Sequence, residues 1–97
     1  MNEETPFIKA IQAEAAPDIT YLVYADWLEE HGHADRAEFV RLCVELPNLW
    51  AKFRAERVLD PYVEQIARAQ IRVRELRATF PAKWVNQVGR AKYGPEW

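Results

Sequence analysis

Cysteine occurs once in 97 residues, at Cys43. No internal disulfide is available, so the fold rests on its own core, in keeping with a reducing compartment. Glycine occurs only three times, too sparsely for a phosphate-cradling loop. No apolar run approaches the roughly 18 residues a membrane-spanning helix needs. The opening MNEETPFIKAIQAEAAP is acidic and lacks a continuous apolar segment, so it does not read as a signal peptide. A surplus of positive charge is also missing. The net charge is −2, unlike that of a typical nucleic-acid binder. No Ser-His-Asp arrangement with supporting context and no motif-placed carboxylate pair is present, which argues against an enzyme. The expectation is a cytoplasmic protein without cofactor or membrane partner.

What is present is apolar and aromatic. Forty-nine per cent of residues are hydrophobic, and four Trp, four Tyr and four Phe stand among them. A chain of this length forms one domain, residues 1–97, burying roughly 65% of its unfolded surface. Nothing alternates with period two, so no strand is expected. The fold class is all-α: a small compact bundle of four to six helices joined by short turns. Charge is uneven along the chain. Residues 1–50 carry 10 Asp/Glu against 3 Lys/Arg, and residues 51–97 carry 5 against 10. Either the halves compensate one another in the fold, or the basic half meets an acidic partner.

The stretch Ile19 to Leu28 organises the chain. At about 100° per residue, Ile19, Leu22, Val23 and Trp27 share one face, and Tyr21, Tyr24 and Leu28 the other. A helix apolar all round is buried between neighbours or presents a second face to a partner. Before it, Thr5-Pro6 opens a helix with Phe7, Ile8, Ala10, Ile11 and Ala15 on its apolar side, ended by Pro17. After it, Gly32 supplies a left-handed C-terminal residue. Asp35 then caps a third helix, with Glu38 completing a capping box. Phe39, Val40, Cys43 and Leu46 form the buried stripe of that helix. Arg41 can pair with Glu38 and Glu45. Pro47 ends or kinks it. Asn48 caps a short fourth segment carrying Leu49, Trp50, Phe53 and Val58. Asp60-Pro61 restarts a long helix over about 61–80. Its Tyr62, Ile66, Ala69, Val73, Leu76 and Phe80 make a heptad-like seam, suited to packing within the bundle or to self-association. Ile71 lies opposite the seam. Trp84, Val85 and Val88 mark a last turn or two, and Gly89, Gly94 and Pro95 an end onto which Trp97 could fold back.

The segment LVYADWLEEHGHADRAEFVRL, Leu22 to Leu42, resembles the bacterial repeat-companion domain family. That family carries a Leu-Val-Tyr-Ala-Asp-Trp-Leu-Glu-Glu core, a glycine turn and an Arg-Ala-Glu-Phe-Ile-Arg-Leu type helix. The motif core lies within residues 19–46. Phe7 to Asp18 and Arg68 to Trp84 are similar to the flanking regions, whereas His33-Ala34 departs from the usual Gly-Asp-Pro-Arg turn. The resemblance implies an accessory or interaction module and no reaction, cofactor or catalytic residue.

Candidate residues follow from chemistry. Tyr21, Tyr24 and Leu28, with Ile71, are the candidate surface for a partner protein, since aromatic anchors ringed by charge suit such contacts. A homo-oligomer through the seam is a further possibility. Asp26 falls on an apolar face and needs donors, for which Arg36 and Arg41 are the candidates. As a buried anchor its replacement by Asn would cost roughly 1–3 kcal/mol. His31, His33 and Asp35 are competent zinc or nickel ligands, but no second cluster completes a shell, so solvated turn histidines are expected. Cys43 reads as a small buried hydrophobe. Arg54, Arg57, Arg68, Arg72, Arg74, Arg77, Lys83, Arg90 and Lys92, interleaved with Trp50, Trp84 and Tyr93, suit phosphate contact and base stacking. Arg68, Arg72, Arg74, Arg77 and Lys83 are the candidate contacts for nucleic acid, the alternative partner. They form no single stripe and no recognisable nucleic-acid-binding motif.

Overall fold

The computed structural model describes residues 3–13, 16–56 and 62–89. Among them are five helices and no strand: α1 (Thr5–Gln12), α2 (Asp18–Glu30), α3 (Ala34–Glu56), α4 (Tyr62–Thr79) and α5 (Ala82–Val88). The expected all-α bundle is therefore found. At the start of α1, Glu4 rather than Thr5 holds the capping position, with Pro6 in the first turn. Pro17 precedes α2 in an extended conformation, φ −72° and ψ 160°, its φ fixed by the pyrrolidine ring.

Gly32 ends α2 as expected, with φ +82°. The His33 amide donates to the Leu28 carbonyl at 2.8 Å and the Gly32 amide to Glu29 at 3.2 Å. These two bonds satisfy carbonyls that the helix end would leave open, and they reverse the chain within three residues. α3 begins at Ala34, which places Asp35 inside the first turn and not at the cap.

Pro47 does not end α3. The helix continues through it to Glu56, so Leu49, Trp50 and Phe53 belong to α3 and form no separate segment. A proline inside a helix costs about 3 kcal/mol. The buried side chains on either side, Leu46 and Leu49, offset it, because each is worth about 1.5–3 kcal/mol when removed from water. Among the described residues α3 is thus the longest helix, at 23 residues against 18 for α4. Val58 and the Asp60-Pro61 restart lie outside the described residues, as do Ala15, Arg57, Arg90, Lys92, Tyr93, Gly94, Pro95 and Trp97.

α3 is the hub. α2 packs along it as a hairpin, α4 packs along it as the next antiparallel neighbour, and α1 touches both α2 and α5. Ile66, Ala69, Val73 and Leu76 of the heptad-like seam are buried against α3, with Tyr62 and Phe80 packed at the edge. The seam is intramolecular. Cys43 is fully buried within the stripe expected for it. Trp84, Val85 and Val88 bring α5 into the same core, where the Trp84 ring meets Phe39 at 5.6 Å and Phe80 at 5.1 Å.

Candidate interaction surface

The inner face of α2 is the tyrosine face. Tyr21, Tyr24, Ala25 and Leu28 are all buried, so Tyr21, Tyr24 and Leu28 do not form the exposed patch expected of them. Their spacing of i, i+3, i+4 and i+7 is that of a packed stripe. Ala25 lets α3 approach closely, and the long Tyr and Leu side chains fill the space around it. The opposite face carries Asp26 and Glu30 in line with Ile19 and Val23, and carboxylates mark the side that meets water.

That opposite face is where the apolar surface lies. Ile19 is 61% exposed and Val23, one turn on, 47% exposed. Leu22 beside them is also exposed. Between α1 and α2 runs an open groove of about 380 Å³, lined by Pro6, Phe7, Ala10, Ile19, Thr20 and Val23. Its lining offers one hydroxyl, that of Thr20, and no charged side chain. Among the described residues lining it there is no acid, amine, imidazole or thiol. What it can do is bury apolar surface against another molecule. Ile71, on α4, is 57% exposed, as its place opposite the seam implied.

Polar contacts fix the helices that carry this face. The Tyr24 hydroxyl donates to a Glu4 carboxylate oxygen and accepts from Trp84 Nε1 at 2.9 Å. One buried oxygen thus joins the approach to α1, the middle of α2 and the start of α5. Burial first, and then the hydrogen bond to Glu4, push the Tyr24 pKa well above its ordinary value. Phe7 stacks on Tyr24 at 5.6 Å and Trp27 follows at 6.4 Å. His31 extends the stack, 4.2 Å from Trp27 between ring centroids.

Asp26 is not a buried anchor. Its side chain is 69% exposed and accepts from Arg41 Nη2 at 2.9 Å, while Arg41 Nη1 donates to Glu29 at 2.7 Å. Arg41 therefore bridges the hairpin from α3 to α2. It does not take the Glu38 and Glu45 partners that helical spacing offered. Glu38 turns instead to Arg72 of α4, which holds it with two bonds of 2.7 and 2.9 Å, so the capping box is replaced by a tie between helices. The Arg72 bonds draw the Glu38 pKa below its ordinary value. Arg36 does not reach Asp26. Its guanidinium lies 4.8 Å over the Trp84 ring and 5.7 Å from that of Phe80, a cation–π contact pinning α5 to the start of α3.

The candidate nucleic-acid residues are scattered and partly engaged. Arg68 is bonded to Glu64 one turn before it, and Arg72 is committed to Glu38. The two share with Glu45 a shallow groove of about 300 Å³ between α3 and α4. Arg74 and Lys83 are exposed and Arg77 half-buried. No continuous basic stripe joins the five.

His31 Nδ1 lies 2.7 Å from the Trp27 carbonyl and Nε2 3.9 Å from Glu3. His33 and Asp35 are exposed. Among the described residues no group of three His, Cys, Asp or Glu side chains is placed to hold a metal, and no helix is long and apolar enough to cross a membrane. Comparison with protein-family models, with curated proteins and with solved structures returns no match to this chain.

Proposed function

We propose that this chain is a protein–protein interaction module, an accessory adaptor with no catalytic activity of its own, and that it docks its partner on the α1–α2 face. The observation that carries the reading is the exposure of Ile19 and Val23, one turn apart, on the rim of an uncharged groove. Contiguous apolar surface of this kind is costly to leave in water and marks contact sites. The contacts beneath it, with Tyr24 tied to both Glu4 and Trp84, set α1 beside α2 and so define the groove between them. The resemblance of Leu22 to Leu42 to the repeat-companion family points the same way, toward a cytoplasmic bacterial accessory domain.

The test is capture from native cell extract, with and without nuclease, using the wild-type chain and an Ile19→Asp/Val23→Asp variant. Both substituted positions are exposed, so the variant should keep its helical circular dichroism. The reading expects a stoichiometric protein that survives nuclease and is lost by the variant. Recovery that vanishes with nuclease would transfer the function to nucleic acid and the α4 arginines. Recovery unchanged by the variant would remove the α1–α2 face from the reading.

A further inference from the structure

A second helix leaves an apolar face uncovered. Along α4, Val63, Ala67, Ile71, Arg74 and Ala78 recur at intervals of four, four, three and four, and all are exposed. On a helix that spacing forms one stripe, and here it faces away from the seam that packs on α3. The stripe differs in charge from the exposed stripe of α2. On the stripes themselves, α2 presents Glu30 and Asp26, the latter held by Arg41, whereas α4 presents Arg74 and no acid. The two stripes match in their first interval, four residues, and in the distance to Glu30 and Arg74. Eleven residues separate Ile19 from Glu30 and eleven separate Val63 from Arg74, about 16 Å along either helix. Glu30 and Arg74 are both exposed and have no ion partner among the described residues.

We infer that the α2 face receives the α4 face of a second copy of this chain. The inference rests on the interaction reading above and names the partner. Laid side by side in parallel, the stripes bring Ile19 to Val63, Val23 to the small Ala67 and Glu30 to Arg74. The wider imbalance favours the same pairing, since the α2 stripe belongs to the acidic half of the chain and the α4 stripe to the basic half. The two faces cannot meet within one copy, because α2 and α4 both pack on α3 with these residues turned outward. The contact is therefore heterologous: each copy offers one face of each kind, and association continues beyond a dimer unless the ring closes.

The test is sedimentation velocity on the purified chain from micromolar to millimolar concentration, with Ile19→Asp and Ile71→Asp variants. Each variant blocks one face at an exposed position, and circular dichroism checks its fold. Wild-type mass should rise with concentration. Each single variant should stay monomeric over the range in which the wild type associates, a loss of at least about tenfold in affinity. Mixed in equal amounts, the two variants should form a 1:1 dimer and nothing larger, because each retains the face the other lacks. Glu30→Arg and Arg74→Glu should each weaken wild-type association and, combined in one chain, restore it.

A wild type that is monomeric throughout overturns the inference, as does an Ile71→Asp variant that still associates or a mixture that stays monomeric. Those failures leave the interaction reading intact if extract capture still depends on Ile19 and Val23. That reading fails in the capture experiment, when recovery vanishes with nuclease or the Ile19→Asp/Val23→Asp variant retains whatever the wild type binds.

Discussion

At the scale of single residues, the Tyr24 hydroxyl carries more of the architecture than any charge does. It donates a hydrogen bond to Glu4 and accepts one from Trp84. Replacement by Phe keeps the ring and its stacking on Phe7 but leaves the buried indole N–H without an acceptor. Tyr24→Phe should cost about 1–3 kcal/mol in urea denaturation, the usual penalty for orphaning a buried donor. The same hydroxyl sets an alkaline limit. Its native pKa is raised above the unfolded value of 10.0, so its stabilisation is complete below that pH and drains as pH rises through the native value. The fall in urea midpoint above about pH 10 should be shallower in Tyr24→Phe than in the wild type. Asp26 is the contrasting case. Being mostly exposed, its bond to Arg41 is worth no more than about 1 kcal/mol, and Asp26→Asn should lower stability by less than that. A loss above about 2 kcal/mol would show that Asp26 is desolvated after all.

At the scale of elements, the turn after α2 depends on one backbone conformation. Gly32 has φ +82°, and a Cβ there would meet nothing within 4 Å. The cost of Gly32→Ala is therefore purely conformational, about 1–2 kcal/mol, measurable as a lower thermal midpoint with unchanged helix content. This turn, α1, α2 and the α4 seam were legible from short-range signals: proline before a helix, glycine after one, and apolar residues every three or four positions. Three features were not. Pro47 reads locally as a stop, and only the burial of Leu46 and Leu49 against neighbouring helices carries α3 past it. For α2, both faces are apolar, so periodicity gives a helix without an orientation. The signal that discriminates is the pair Asp26 and Glu30, seven and eleven residues after Ile19, together with the unbroken Tyr21, Tyr24, Ala25, Leu28 spacing. The Tyr24–Glu4–Trp84 node spans 80 positions of sequence, and no local pattern announces such a contact.

At the scale of the molecule, the acidic and basic halves are joined where Glu38 of α3 meets Arg72 of α4. Because this bond lowers the native Glu38 pKa from its ordinary 4.5, its contribution is present above that pH and is lost as pH falls through the native value. Glu38→Gln should flatten the acid limb of the stability profile, and an unchanged limb would place acid sensitivity elsewhere. The distribution of burial sets a second expectation. α3 contributes seven buried residues and α1 only Ile11. α1 is held beyond that by Phe7 on the Tyr24 ring and by the Glu4 bond, so it is the helix least able to resist local opening. In native-state hydrogen exchange the amides of α1 should exchange first and those in the middle of α3 last. Tyr24→Phe should separate them further, because releasing Glu4 loosens α1 directly, while α3 loses protection only through the fall in global stability. If α1 proved as protected as α3, its hold on the bundle would have to come from contacts stronger than these, and the groove it shares with α2 would be a rigid seat instead of one with a movable wall.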